Sequence, residues 1–361
     1  MSNTMRAKQK IRVLVVDDSE MVRNILHEII SADPDLEIAG MADNGLEAVE
    51  LCSQLLPEVI TMDVQMPKMD GFQATEKIMA YTPTPILIFS SALDKSQQYT
   101  SFQAIALGAL DIMAKPDLSR DGFQEIAGIL CKKIKLLARI QVIQHIHGKL
   151  KKSGPVIAEK SHPIAIAPPE RRVFSLVVIG ASTGGPVALE KLLGKLPGDF
   201  PLPLAAVQHI TEGFIGSYAD WLNSRIELRV KLGEHGEKLS PGTVYFAPDG
   251  VQMSVSSAGL ISLDSHIPPL GEHKPAINHL FFTTAEAFGQ QSIAILLTGM
   301  GKDGAEGMKS IRRKRGLTIA QDRQSALIYG MPRAAVEIGA AEMVLPLEKI
   351  ASHLITCCKR S

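Results

Sequence analysis

Two apolar periods alternate along this chain. Short runs rich in β-branched residues, IRVLVV (11–16), LEIAGMA (36–42), EVITMD (58–63), PILIFS (85–90) and ALDIMAK (109–115), read as strands. Between the first two, EMVRNILHEIISA carries apolar residues at helical spacing, and NGLEAVELC after the second predicts another amphipathic helix. Such alternation predicts a parallel sheet with helices on both faces. It resumes from Phe174, with FSLVVIG, LPLAAVQH, GTVYFAP and SIAILLTG as β-runs and no repeat of short fixed period. The expected fold class is α/β in both halves.

Between the halves the pattern breaks. CKKIKLLARIQVIQHIHGKLKK, from Cys131 to Lys152, is basic and has no Asp or Glu. It begins as a helix closing the first domain, with its lysines read as a solvated face. SGPVIAEKSHPIAIAPPERR is proline-rich, lacks periodicity and reads as a semi-rigid linker. The expected organisation of the 361 residues is a domain over 1–135, a helix end and linker over 136–172, and a second domain over 173–361.

Composition narrows the classes. Lys+Arg and Asp+Glu both number 38, so no net charge draws the chain to nucleic acid or a membrane surface. Hydrophobic residues make up 45%, enough for well-filled cores, yet no apolar run is long enough for a bilayer span or a signal peptide. Cys52, Cys131, Cys357 and Cys358 fit neither zinc-ribbon nor disulfide spacing. Reduced thiols and a cytoplasmic location are the expectation.

Candidate chemistry gathers first at the strand ends of the N-terminal half. Asp17 and Asp18 follow the strand at 11–16, and Asp63 ends the strand at 58–63. A doubly wound sheet binds ligands at the carboxyl ends of its strands, near the topological switch point. Three carboxylates there repel one another unless a divalent cation sits among them, and hard oxygen ligands with open water positions suit Mg²⁺. Ser90 and Lys115 end two further strands at the same rim, where a hydroxyl and an ammonium suit a phosphoryl group. The plainer alternative is a structural acidic cluster.

VVDDS, MDVQMPKMDG, FSSA and AKP, in this order and spacing, resemble the response-regulator receiver domain. The resemblance implies a flavodoxin-like doubly wound fold and phosphorylation of Asp63 by a histidine kinase. It also implies Mg²⁺ held by Asp17, Asp18, Asp63 and the backbone carbonyl of Gln65, with Ser90 and Lys115 contacting the phosphoryl group. Ile112 departs from the pattern, because receivers usually carry Tyr or Phe there, and the aromatic part of their switch is thereby in question.

In the second half, Gly180-Ala181-Ser182-Thr183-Gly184 lies between an apolar strand and a helical pattern. The local pattern fits two readings: a sharp turn that exposes a nucleophilic Ser182, or a glycine-rich cradle for a phosphate. A serine needs a base and an orienting acid. His209 ends the next predicted strand, and Asp303 lies in a glycine-rich loop after SIAILLTG. All three therefore fall at one edge of one parallel sheet, in a chain order unlike that of α/β-hydrolases. His235, His266, His273 and His279 lack a tight metal spacing, so surface or packing roles are expected for them rather than zinc. GMGKDG is not a Walker A loop, and GASTGG lacks dinucleotide-site spacing.

IGASTGGPVAL, VQHITEGF, YFAPDG, EHKPAINHLF and LLTGMGKDGAEGM resemble the catalytic domain of the chemotaxis protein-glutamate methylesterases. The resemblance covers nearly the whole chain and implies hydrolysis of glutamate methyl esters on the cytoplasmic helices of chemoreceptors. It also implies deamidation of receptor glutamines, no cofactor for the ester chemistry, and no nucleic-acid partner or membrane insertion. It assigns Ser182, His209 and Asp303 as the triad, Thr183 as an aid to orienting the histidine, and the Met300 backbone N–H as an oxyanion donor. The unphosphorylated receiver is expected to obstruct the active site. Ile210-Thr211-Glu212 and Gln252 depart from the family pattern at the substrate face. Two other readings share these residues: a phospho-switched module with an idle second half, and a receiver-regulated serine hydrolase of another substrate.

Overall fold

The computed structural model describes residues 9–91, 95–115, 120–140, 142 and 172–359. Most of the expected linker, residues 141 and 143–171, lies outside the described residues. The N-terminal half contains β1 (Ile11–Val16), α1 (Glu20–Ala32), β2 (Leu36–Ala42), α2 (Gly45–Leu55) and β3 (Val59–Met62). It continues through α3 (Gly71–Tyr81), β4 (Ile86–Ser91), α4 (Lys95–Ala106), β5 (Asp111–Lys115) and α5 (Arg120–Leu137). Its five strands run parallel in the order β2-β1-β3-β4-β5. That order reverses between β1 and β3, the switch point of a flavodoxin-like sheet. The β-branched runs form the strands because both faces are covered: every residue of β3 is buried, as are the last four of β1.

The second half holds β6 (Leu176–Ala181), α6 (Gly185–Leu193), β7 (Leu204–Gln208), α7 (Ile215–Asn223), β8 (Arg229–Leu232) and β9 (Thr243–Phe246). A hairpin of β10 (Gln252–Val255) and β11 (Ile261–Asp264) follows, then α8 (Ile277–Phe288), β12 (Ser292–Leu296) and α9 (Ala305–Arg313). The chain closes with β13 (Leu317–Gln321), α10 (Met331–Glu337), β14 (Met343–Leu345) and α11 (Leu347–Lys359). Seven parallel strands take the order β14-β13-β12-β6-β7-β9-β8. β12, β6 and β7 are neighbours at the centre, so the loops leaving their carboxyl ends converge.

The halves dock through α4. Phe102 of α4 is fully buried against Phe214, which immediately precedes α7, and Tyr218 and Trp221 within it. Ring centroids lie 6.2, 5.3 and 5.9 Å apart, respectively. One buried apolar cluster therefore runs from the N-terminal sheet through this cage into the second core. The α5 lysines are not simply a solvated face. Lys133 pairs with Asp111, and Lys135 lies 2.7 Å from Asp33 and 3.2 Å from Asp35. A composition reading misses this because the partner carboxylates come from β5 and the α1–β2 turn.

Candidate active site and phosphorylation site

At the β1/β3 switch point, Asp17, Asp18 and Asp63 each offer an oxygen within 4.8 Å of the others. Asp17 and Asp63 are buried and Asp18 is exposed. Asp17 Oδ1 accepts from the Ser19 amide (3.0 Å) and Asp63 Oδ1 from the Val64 amide (2.7 Å). Lys115, at the end of β5, places Nζ 2.8 Å from both Asp17 Oδ2 and Asp63 Oδ2. At Asp17 this is an ion pair off the hydrogen-bond direction, since that oxygen has no aligned partner. Burial drives both carboxyls up against the pull of Lys115, and Asp63 reaches about 6. Burial alone would lower the Lys115 ammonium, but Asp63 and Asp17 outweigh it and hold its pKa up.

A divalent cation fits this pocket. It would relieve the crowding of the carboxylates, and the donors are the hard oxygens Mg²⁺ takes. Ser90 Oγ is fully buried at the rim and has no hydrogen-bond partner among the described residues. Gln65 lies exposed on the loop after β3. Gly71 shapes that loop: a Cβ there would sit 1.9 Å from the Asp63 carbonyl oxygen, so only glycine lets α3 start this close.

Ser182 leaves the end of β6, where the chain turns into α6. Gly184 has φ +77° at the N-cap, and Pro186 lies in the first turn of the helix. The turn is tied on all sides. The Ser182 amide donates to Thr298 O (3.0 Å), Gly185 N donates to Ser182 O (2.7 Å), and Thr298 Oγ1 donates to Thr183 O (2.9 Å). Gln208 Nε2 donates to both Ser182 O (2.9 Å) and His209 O (2.8 Å), locking the ends of β6 and β7 together. Gly299 abuts the nucleophile position, since a Cβ there would lie 2.7 Å from Ser182 Cβ.

His209 follows β7, and its amide donates to Ala181 O at 2.8 Å. Its Nε2 lies 3.1 Å from Asp303 Oδ2. The approach is off-line, and neither ring nitrogen has an aligned hydrogen bond, to Ser182 or to any other described residue. Asp303 is nearly buried and accepts from Ile277 N (2.7 Å), Asn278 N (3.0 Å) and Gly304 N (2.9 Å). Burial pushes its carboxyl up, but the contact and charge of His209 and the amides opening α8 outweigh it and hold the carboxyl low. Met300, from the same glycine-rich loop, borders a cavity of about 540 Å³ whose other walls come from the N-terminal half, around α1 and α5.

Sequence reasoning reached these three side chains but not their surroundings. Thr183 Oγ1 donates to Asp111 Oδ2 (3.1 Å) of β5, so the N-terminal domain reaches the residue beside Ser182. Thr211 Oγ1 lies 3.5 Å from Ile112 O, a long contact that joins two positions departing from the family patterns. His273 stacks on His209. His279 Nε2 pairs with Ser254 Oγ at 2.8 Å, His235 Nδ1 bonds the backbone at Leu263, and His266 is exposed. None of these histidines joins a metal-ligating group among the described residues. Four carboxylate or imidazole side chains, Glu212, Asp249, Glu272 and His273, line a pocket of about 200 Å³ with His209.

Both halves of the chain are similar to known proteins. The family described as CheB methylesterase matches residues 177–354, and the one described as response regulator receiver domain matches residues 13–126. A relative from Nitrosospira multiformis, named protein-glutamate methylesterase/protein-glutamine glutaminase, is 41% identical over 347 residues, covering 95% of this chain and 96% of its own. One from Anaeromyxobacter dehalogenans, of the same name with the number 2, is 40% identical over 344 residues, covering 95% and 96%. The crystal structure of the Thermotoga maritima CheB methylesterase catalytic domain is 38% identical, covering 51% of this chain and 98% of that chain at a TM-score of 0.48. With a receiver domain at one end and the esterase match at the other, this chain belongs to the CheB methylesterase family.

Proposed function

We propose that this chain is a phosphorylation-regulated chemotaxis enzyme that hydrolyses glutamate methyl esters on chemoreceptors, and deamidates receptor glutamines, through Ser182, His209 and Asp303. The observation that supports the residue assignment is His209 Nε2 3.1 Å from Asp303 Oδ2, in a residue whose backbone is tied through Gln208 to that of Ser182. With Asp303 at one ring nitrogen, the other is left to take the serine proton. Ser182 Oγ attacks the ester carbonyl, and His209 returns the proton to the departing methoxide, releasing methanol. Water, activated by the same histidine, then frees the carboxylate. Asp303 stays ionised and stabilises the imidazolium, in keeping with a carboxyl held low by His209 and the amides opening α8. The Met300 backbone N–H serves the oxyanion, a role that elsewhere contributes about 3 kcal/mol per donor. Deamidation uses the same acyl-enzyme with ammonia leaving.

The receiver supplies the control. Asp63 is the phosphoryl acceptor; Asp17, Asp18, Asp63 and the Gln65 carbonyl would hold Mg²⁺, which would supply positive charge for the phosphoryl group. Ser90 and Lys115 take the phosphoryl oxygens, and a histidine kinase is the donor. Domain limits near 1–135 and 173–361 are supported by α5, which ends at Leu137, and β6, which starts at Leu176. No described helix is long and apolar enough to cross a membrane, and a cytoplasmic site of action suits receptor helices as substrate. Thr183, held by Asp111, orients the histidine once released. The test is methanol release from methylated receptor membranes by wild type and Ser182→Ala. A loss of about 10⁴-fold or more is expected in the variant, and retained release would remove Ser182 from the mechanism.

A further inference from the structure

We infer that His273 is a positioning residue for the esterase reaction, and that Gln252 holds the loop that presents it to His209. The rings of His209 and His273 stack with centroids 3.9 Å apart and planes 19° from parallel. That stack matters because little else fixes the His209 ring. Its side chain is largely buried, yet neither nitrogen has an aligned hydrogen bond, and Asp303 touches only one edge. Imidazole χ2 is a broad torsion, so an edge contact alone leaves the ring free to rock. A flat partner on one face narrows that freedom and keeps the ring within reach of Asp303.

The partner is itself fixed. Gln252, at the start of β10, is fully buried and uses both ends of its amide on the 268–276 loop. Its Oε1 accepts from Ala276 N (2.9 Å), while Nε2 donates to Pro268 O (3.3 Å) and to the carbonyl of His273 itself (3.4 Å). The Leu270 amide also donates to His273 O at 3.1 Å. Ala276 is the N-cap of α8, and the next two amides grip Asp303. One glutamine therefore links the face support of His209 to the helix start that holds its acid. The tie is made with an amide, which cannot titrate.

Charge agrees with the geometry. The groups acting on His273 are His209, Asp303 and Glu272 from the esterase and Lys132 from α5 of the receiver. Burial, followed by His209, pulls its pKa below the usual imidazole value. A neutral ring is thus offered to the imidazolium that forms on His209, with no like charge stacked upon it.

The inference rests on His209 being the base that serves Ser182, and the experiment separates the two. Steady-state methanol release by the full chain with a small-molecule phosphodonor is measured for wild type, Ser182→Ala, His273→Ala, His273→Phe and Gln252→Ala. Release that survives Ser182→Ala removes the triad reading. With that variant inactive, His273→Ala is expected to lower kcat roughly 10- to 100-fold, the cost of a slightly misplaced catalytic group, with KM within about twofold. His273→Phe keeps a flat ring and is expected to restore kcat to within about threefold of wild type. Gln252→Ala is expected to lower kcat in the same sense without shifting KM. An unchanged kcat in His273→Ala, a change confined to KM, or a Phe variant as impaired as Ala would each overturn the inference. Thermal unfolding of each variant keeps loss of fold apart from loss of alignment.

Discussion

Phe102→Ala tests the docked arrangement most directly. Phe102 belongs to the receiver, but its ring is buried among three aromatic rings of the esterase. Truncating a fully buried aromatic anchor at an interface costs about 2–4 kcal/mol. At 1.4 kcal/mol per decade, the ratio of docked to undocked domains falls about 30- to 700-fold. Docking places Asp111 on Thr183 and receiver residues opposite Met300, so undocking exposes Ser182. The assay is methanol release from methylated receptor membranes without phosphodonor. The expected result is an unphosphorylated rate that climbs towards the phosphorylated wild-type rate, with the stimulation by phosphodonor shrinking accordingly. Mg²⁺-dependent phosphorylation of the variant should be intact, showing that the receiver still folds. An unchanged basal rate with full stimulation in a folded variant would refute the view that this cage holds the enzyme closed.

Asp111→Ala removes the acceptor of the buried Thr183 hydroxyl and the partner of Lys133. At about 1–3 kcal/mol for such a buried contact, basal methanol release should rise about fivefold or more, and a fall would show that Asp111 supports catalysis instead. Asp63→Asn, or chelation of Mg²⁺ with EDTA, should abolish stimulation by phosphodonor and leave the basal rate intact; a basal rate that falls with EDTA would place a metal in the ester chemistry. Asp303 is held below its ordinary value of 3.8, so its ionised form contributes stability that is complete above that value and lost as pH falls through the folded one. The urea midpoints of wild type and Asp303→Asn should therefore converge on acidification, whereas a pH-independent gap would assign the effect to packing.

The sheet strands were legible because parallel strands buried on both faces read as continuous β-branched runs, as IRVLVV and SIAILLTG do. Ser182, His209, Asp17, Asp63 and Lys115 were legible for a related reason: each lies at or one residue beyond a strand end, with Asp303 in the loop that leaves β12, and the strand ends of a parallel sheet share one edge. Periodicity could say that Phe102 is apolar but not that its partners lie on α7. It placed Asp111 inside a strand expected over 109–115 and said nothing of Thr183 across the domain boundary. His273 and Gln252 were visible as residue types, yet their roles depend on a loop whose course is set by hydrogen bonds between distant positions. What pattern cannot supply is partnership between elements far apart in the chain.

The short strand β5 carries a further consequence. Lys115 at its carboxyl end holds Asp63, Asp111 at its start holds Thr183, and the Ile112 carbonyl between them faces Thr211. A strand of five residues is a stiff rod about 16 Å long. The message from phosphoryl site to esterase thus has a route that never enters the covalent connection between the domains. That connection contributes effective concentration, holding the receiver near its seat at a local level that separate chains would have to match in solution. Inhibition and its release are then properties of a surface, and the two halves, if cut apart, would remain a regulator and its enzyme wherever they were concentrated enough to meet.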